Sequence, residues 1–255
     1  MINLRSRRGN ASWRPRALDD EYRTQVVQRI DAACALLAGD GPVRRRIAEA
    51  PPGYLLAHSS ADVVRHCELL EPLAAPGEVR VVATPGRAAG VWRLDVATLD
   101  RAGLLAAFTG VLLDACLDVI QAVVATWDDG GALQAFVVRS PEAPEAAALE
   151  PAFTEALVRP RAFAPVPDAH VEFDDHASPL YTACHVVAPD APGLLHAIAG
   201  AVAAAEVDIH AARVATVDGM ARDRFDLSER TGEKLDLARE AMIRDELCGR
   251  VVRPS

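Results

Sequence analysis

The sequence predicts an α+β fold made of two copies of one strand–helix–strand–strand–helix unit behind a helical N-terminal region. Three observations predict it. Residues 90–139 and 180–228 read as one unit written twice, with an offset of 90 residues that holds without a gap from Asp100–Thr126 to Asp190–Thr216; Gly110 matches Gly200, Asp118 matches Asp208 and Ala122 matches Ala212. Such a repeat sets the architecture before any single element is assigned. In each copy a short apolar run ends at Asp-x-x-Gly and gives way to helical spacing, with Leu104, Phe108, Val111 and Leu112 on one face. A β-branched run then ends at Asp128-Asp129-Gly130-Gly131 or Asp218-Gly219, a hairpin signal because glycine accepts positive φ.

Taken in order, residues 1–17 carry Arg5, Arg7, Arg8, Arg14 and Arg16 with no acid. They read as a solvated tail, with an arm anchored by Trp13 on an acidic partner as the other reading. Residues 19–38 form an amphipathic helix with acids at its first turn, where they complement the helix dipole. Arg44-Arg45-Arg46 opens a short element, Pro51-Pro52-Gly53 breaks the chain, and Ser59 starts a helix to about Leu70 whose His66 reads as a partner-satisfied core histidine. Glu78–Val82 alternates as a strand and forms a hairpin with Val91–Val96, adding an extra strand to the first sheet. The repeat helices span 104–115 and 194–205, and further helices follow at 144–158 and 233–248. A Pro-rich connection over 159–167 places a domain boundary near residue 165. The units expected are 1–75 (tail and helical region), 76–165 (first module) and 166–255 (second module). The order is that of a ferredoxin-like βαββαβ module, with only Arg250–Arg253 left for the closing strand of the second copy.

The doubled Asp-x-x-Gly-Leu-Leu, with entry into a second strand at Asp118 and Asp208, resembles the ACT domain. The pair, with His170–Asp175 just before the second copy, Ala215–Gly219 and Asp223-Arg224-Phe225 in the second hairpin, and Ala50–Leu55 upstream, resembles the C-terminal ACT pair of the bifunctional uridylyltransferase/uridylyl-removing enzyme that acts on the nitrogen regulatory protein PII. The resemblance covers roughly residues 45–252 and implies two ferredoxin-like ACT modules. It also implies a cytoplasmic, non-catalytic, allosteric amino-acid sensor in nitrogen metabolism, with glutamine the favoured ligand.

Composition narrows the classes. A net charge of −9 argues against a general nucleic-acid binder. No apolar run approaches the roughly 20 residues of a membrane span, and the start lacks an apolar signal-peptide core. The five cysteines are spread without metal-ligand spacing and read as buried reduced thiols. No catalytic residue, metal ligand or cofactor is expected: there is no P-loop, no Gly-x-Ser-x-Gly and no His-Glu-x-x-His. Asp174-Asp175-His176 reads as a solvated acidic turn.

The chemistry resides in the strand-to-helix loops. Free N–H groups at a helix start bind an anion such as a carboxylate, and nearby Asp118 and Asp208 suit an ammonium group, so a zwitterionic amino acid fits. Asp100 and Asp190 can instead cap their helices, and glycine at such a turn serves the fold whether or not anything binds. By the resemblance the ligand lies at an interface between modules, against Asp100, Arg101, Ala102, Gly103, Leu104, Leu105, Asp118 and Val119, and against Asp190, Ala191, Pro192, Gly193, Leu194, Leu195, Asp208 and Ile209. The partners expected are a small amino acid and a regulated protein or second copy, with no nucleic acid and no membrane. The alternatives are an assembly module and a regulatory subunit acting in trans on a separate nucleotidyltransferase.

Overall fold

The computed structural model describes residues 20–250. The Arg-rich tail, with Trp13, and residues 251–253 of the expected closing strand lie outside them. Four helices come first, α1 (Asp20–Cys34), α2 (Pro42–Ala48), α3 (Pro52–Ala57) and α4 (Ser60–Leu69). The first copy follows as β1 (Arg80–Pro85), β2 (Val91–Leu99), α5 (Leu104–Asp114), β3 (Asp118–Thr126), β4 (Gly131–Arg139) and α6 (Ala146–Val158). The second is β5 (His170–Asp174), β6 (Thr182–Pro189), α7 (Leu194–Ala204), β7 (Val207–Arg213), β8 (Thr216–Val217), β9 (Met220–Glu229) and α8 (Leu237–Cys248). None of the described helices is long and apolar enough to cross a membrane.

All strands join one antiparallel sheet in the order β1-β2-β4-β3-β7-β9-β6-β5, with β8 paired to β9. Among the described residues the outer edges of the sheet are closed by hairpins, and no strand after α6 pairs with β2. Instead β1 lies beside β2 and β5 beside β6, so each copy's outer edge is filled by the strand that precedes it in sequence. A hairpin reaches that edge through a short turn and satisfies the same backbone groups.

The repeat folds as it reads. Both repeat helices end with a left-handed residue, Cys116 (φ 54°) and Glu206 (φ 58°). At Cys116 the N–H bonds of Leu117 to Leu112 (2.9 Å) and of Cys116 to Leu113 (3.1 Å) close a Schellman motif. Helices α5, α6, α7 and α8 pack on one face of the sheet, and a single apolar core runs beneath them from Leu94 and Phe136 to Phe225 and Ile243. Helix α5 lies against α7, where Gly200 faces the ring of Phe163; a Cβ there would stand 2.3 Å from Phe163 Cδ1.

Helices α1 to α4 cover the opposite face of β2, β3 and β4, with Ile47, Leu55, Val63 and Cys67 against Val123, Trp127 and Leu133. Two charged clusters anchor this layer. Arg46, buried, pairs with Glu71 (2.6 Å) and Asp129 (2.7 Å), and Trp127 donates to its carbonyl at 2.9 Å. Asp95, 2% exposed, accepts from Arg65 (2.9 Å) and His66 (3.1 Å), and Tyr54 Oη meets the far ring nitrogen of His66 at 3.0 Å. His66 is therefore the partnered core histidine expected. Burial by itself would raise the Asp95 carboxyl, but His66 and Arg65 hold it below its ordinary value. The thiols follow the expected pattern at Cys34, Cys67, Cys184 and Cys248, all buried, whereas Cys116 is exposed at its left-handed turn.

Two stability outcomes follow. Asp95→Ala strands the buried His66 imidazole and leaves the half-buried Arg65 only its Asp62 partner, and should cost about 3–5 kcal/mol in urea unfolding. Gly200→Ala forces Phe163 aside and should cost about 1–3 kcal/mol by the same measurement; unchanged midpoints would show that each contact relaxes freely.

Candidate ligand sites at the two ends of the seam

The two copies meet along a short seam. Strands β3 and β7 pair only over Gln121–Val123 and Ala211–Arg213, with Ala122 opposite Ala212, its own counterpart in the repeat. The seam thus lies on an approximate two-fold axis. Its shortness has a local cause: β3 shifts register between Val119 and Gln121, and β7 does so at the equivalent place, between Ile209 and Ala211. A bulge bends and twists its strand, so the two strands separate beyond the bulges. A cavity opens at each end of the seam.

The first, of about 540 Å³, is lined by Asp100, Arg101 and Gly103–Leu105 of the first loop and by Asp208 and Ile209 of the other copy's strand β7. Ala203 of α7 and Gln134 of β4 also face it. On the sheet's other face it reaches Tyr54, Arg213, Arg224 and the pair Tyr181–His210, whose rings stack at 4.2 Å. The second, of about 700 Å³, is lined by Asp190–Leu195 of the second loop and by Asp118 and Val119 of β3. Leu113, Thr109, His196, Arg139 and Asp223 complete it. Fifteen of the sixteen residues expected from sequence line one of the cavities; Ala102 does not. The pairing is crosswise, each loop with the other copy's strand, which is why neither cavity exists in a single copy.

The loops differ from the sequence expectation in one respect. Gly103 (φ 75°) and Gly193 (φ 88°) are themselves the residues before the helices, and no side chain caps either one. Asp100 and Asp190 therefore do not cap; Asp190 accepts instead from Thr216 Oγ1 at 2.8 Å. The left-handed backbone requires glycine at both places, and a Cβ on Gly193 would approach Leu113 Cδ2 to 2.9 Å. The first helical hydrogen bonds run from Ala107 to Gly103 and from Ala197 to Gly193, both 2.9 Å. The N–H groups ahead of them at each helix start are the anion-attracting end of the helix.

Charge is distributed unevenly. Partial burial, then the charge of Asp100, raises the Asp208 carboxyl. Asp118 makes an exposed ion pair with Arg139 at 2.7 Å. Asp223, 4% exposed, accepts one weak hydrogen bond, from Ala215 N–H at 3.3 Å; burial, then the charge of Asp190, pushes it up to about 7. His210 is lowered to about 4, chiefly by burial, and is neutral at physiological pH. Gln134, His196 and Asp223 were not among the residues expected. For Gln134 and Asp223 the sequence signal is a polar residue in the inward register of an otherwise apolar strand, Ala132, Gln134, Phe136 and Ala221, Asp223, Phe225; for His196 it is a polar residue on the apolar face of helix α7. Asp174 Oδ1 accepts from the N–H groups of His176 (2.7 Å) and Ala177 (3.2 Å), closing a turn. Among the described residues no cluster of His, Cys, Asp or Glu is arranged to hold a metal ion.

The raised Asp223 carboxyl has a definite sign in stability. An ordinary aspartate loses its proton near pH 4 when unfolded, whereas the folded chain keeps this proton to about pH 7. The stability it contributes is complete below about pH 4 and is lost as pH rises through about 7. Asp223→Asn should therefore exceed the parent protein by roughly 1–3 kcal/mol at pH 8 and by little at pH 4 in paired urea titrations. An equal difference at both pH values would mean that the carboxylate is well solvated in the folded state.

No family model matches the chain. It is 30% identical over 222 residues to the bifunctional uridylyltransferase/uridylyl-removing enzyme of Rhodospirillum rubrum, covering 77% of this chain and 24% of that protein. It is 27% identical over 248 residues to the protein of the same description from Vibrio atlanticus, covering 89% of this chain and 28% of that one. The chain thus spans about a quarter of the length of these curated relatives and resembles one segment of the enzyme. Among solved structures, an unknown protein from Galdieria sulphuraria matches at a TM-score of 0.23 and 20% identity, over 54% of this chain and 81% of that one.

Proposed function

We propose that the chain is a pair of ferredoxin-like ACT modules, permuted so that the edge strand comes first, and that it acts as a non-catalytic, amino-acid-binding regulatory protein in nitrogen metabolism. The observation that carries this reading is the pair of crosswise cavities. Each brings an uncapped helix start from one copy against a carboxylate-bearing strand from the other, Gly103 with Asp208 and Gly193 with Asp118. In each cavity the helix start suits a ligand's carboxylate and the strand's aspartate its ammonium group. Similarity to the uridylyltransferase/uridylyl-removing enzymes supports the metabolic setting and makes glutamine the favoured ligand. A ligand bound there touches both copies, so it stabilises one arrangement of the seam, and a partner that senses that arrangement gains or loses affinity by the same free energy. The setting is cytoplasmic, and the chain works without a cofactor.

A second reading, an assembly or trans-acting subunit with no small ligand, is favoured by one feature. Among the described residues neither apolar core extends onto the outer face of β7, β9 and β6, a face that a protein partner could cover.

Thermal unfolding against each of the twenty amino acids at millimolar concentration separates the two. A ligand at 100 times its Kd adds about 2.7 kcal/mol. One amino acid should raise the midpoint, and Asp208→Asn should weaken that shift. Gly103 and Gly193 are unsuitable for this purpose, because their backbone requires glycine. If none of the twenty moves the midpoint, the sensor reading falls and the assembly reading replaces it.

A further inference from the structure

Gln134 and Asp223 occupy the same place in the two copies. Gln134 lies opposite Val96, and Asp223 lies opposite Val186, which is the repeat counterpart of Val96. Both point inward and are 3% and 4% exposed. Each lines the cavity beneath its own copy's loop, Gln134 the first and Asp223 the second. The sites are therefore built alike, with one substitution that changes charge.

The surroundings reinforce that difference. The first cavity is lined by three aspartates and three arginines, Asp226 being held by Arg224 at 3.0 Å, so its side-chain charges balance. The second is lined by three aspartates against a single arginine, Arg139, which Asp118 already engages. Among the described residues Asp223 and Asp190 make no ion pair there, and a buried carboxylate without a counter-charge favours a cation that enters beside it.

The first turn of the helix differs as well. His196 of α7 stands where α5 has Ala106. His196 is 4% exposed, and its Nδ1 lies 2.9 Å from the Ala106 carbonyl. A carbonyl only accepts, so Nδ1 carries the hydrogen, and in that tautomer Nε2 presents a lone pair. Nε2 has no partner. The unpartnered atom in the first cavity is Gln134 Oε1, which belongs to a neutral amide.

We propose that the two cavities select different ligands: the second takes a basic amino acid, whose side-chain cation meets Asp223 and Asp190 and donates an N–H to His196, while the first, floored by Gln134, takes a neutral one. The start of α7 receives the carboxylate of the basic ligand, and Asp118 stands near its α-ammonium group. This selectivity rests on the reading of both cavities as amino-acid sites.

The test is isothermal titration at pH 8 with L-lysine, L-arginine and L-glutamine. The parent protein should bind each basic amino acid at one site per chain that glutamine does not fill, at least tenfold more tightly than glutamine enters that site. Asp223→Asn should lose at least tenfold in lysine affinity and keep its glutamine isotherm. His196→Ala should lose lysine affinity severalfold in titrations run well below its own melting midpoint, where the variant is folded. Lysine binding Asp223→Asn as tightly as the parent, or lysine and glutamine competing for one site at equal affinity, overturns the selectivity and leaves the amino-acid reading standing. No binding by any of the three, together with no thermal shift from any of the twenty amino acids, overturns both.

Discussion

The structure depends on a seam of three residue pairs. Ala122 and Ala212 face each other at its centre, and a bulge in each strand limits its length. Three ladder pairs contribute little by themselves, since a single hydrogen bond is worth about 1 kcal/mol net. The apolar core that crosses beneath the seam, with α5 packed on α7, holds the copies together. The seam's role is geometric. It joins the sheet into one surface while leaving the strands apart at both ends, and each gap is closed by a loop from the other copy.

The same constraint explains why the two faces of the sheet are treated differently. The helices of the repeat bury one face of the whole sheet. The N-terminal helices cover the other face of the first copy and are tied down by Arg46 and Asp95. These pairs sit where a bare apolar contact would leave Arg65, His66 and Asp129 without partners. They set the position of α2 and α4 more than they add stability, because desolvation offsets much of the Coulomb gain. Tyr54 of α3 closes against the same network and also lines the first cavity, so the N-terminal layer is part of that cavity's wall.

Much of this was legible in the sequence because it is local or repeated. The offset between Asp100 and Asp190 placed the helices, the hairpins and the loops to within a few residues, since periodicity and turn chemistry act over short stretches. The partnered state of His66 was legible from its place on the inward face of its helix. Three points were not. The capping role considered for Asp100 and Asp190 depends on backbone dihedrals, which left-handed Gly103 and Gly193 take over. The edge beside β6 can be filled from either end of a copy, and the hairpin closure that the sequence showed for β1 and β2 recurs there with β5. Cys116 is exposed because a helix end needed a left-handed residue at its position.

The sequence by itself determined the α+β class, the two-fold repetition and the loops that line the cavities, because each repeat's signals lie within short stretches and recur at one fixed offset of 90 residues. Only the tertiary structure decided that each loop faces the other copy's strand, since that pairing is set by a bulge register and a helix contact between segments 90 residues apart. Only it showed that Gln134, Asp223 and His196 line the cavities. Their meaning comes from burial, with an unpartnered atom on Gln134 and His196 and a single weak hydrogen bond on Asp223, and burial is a property of the assembled core rather than of any stretch of chain.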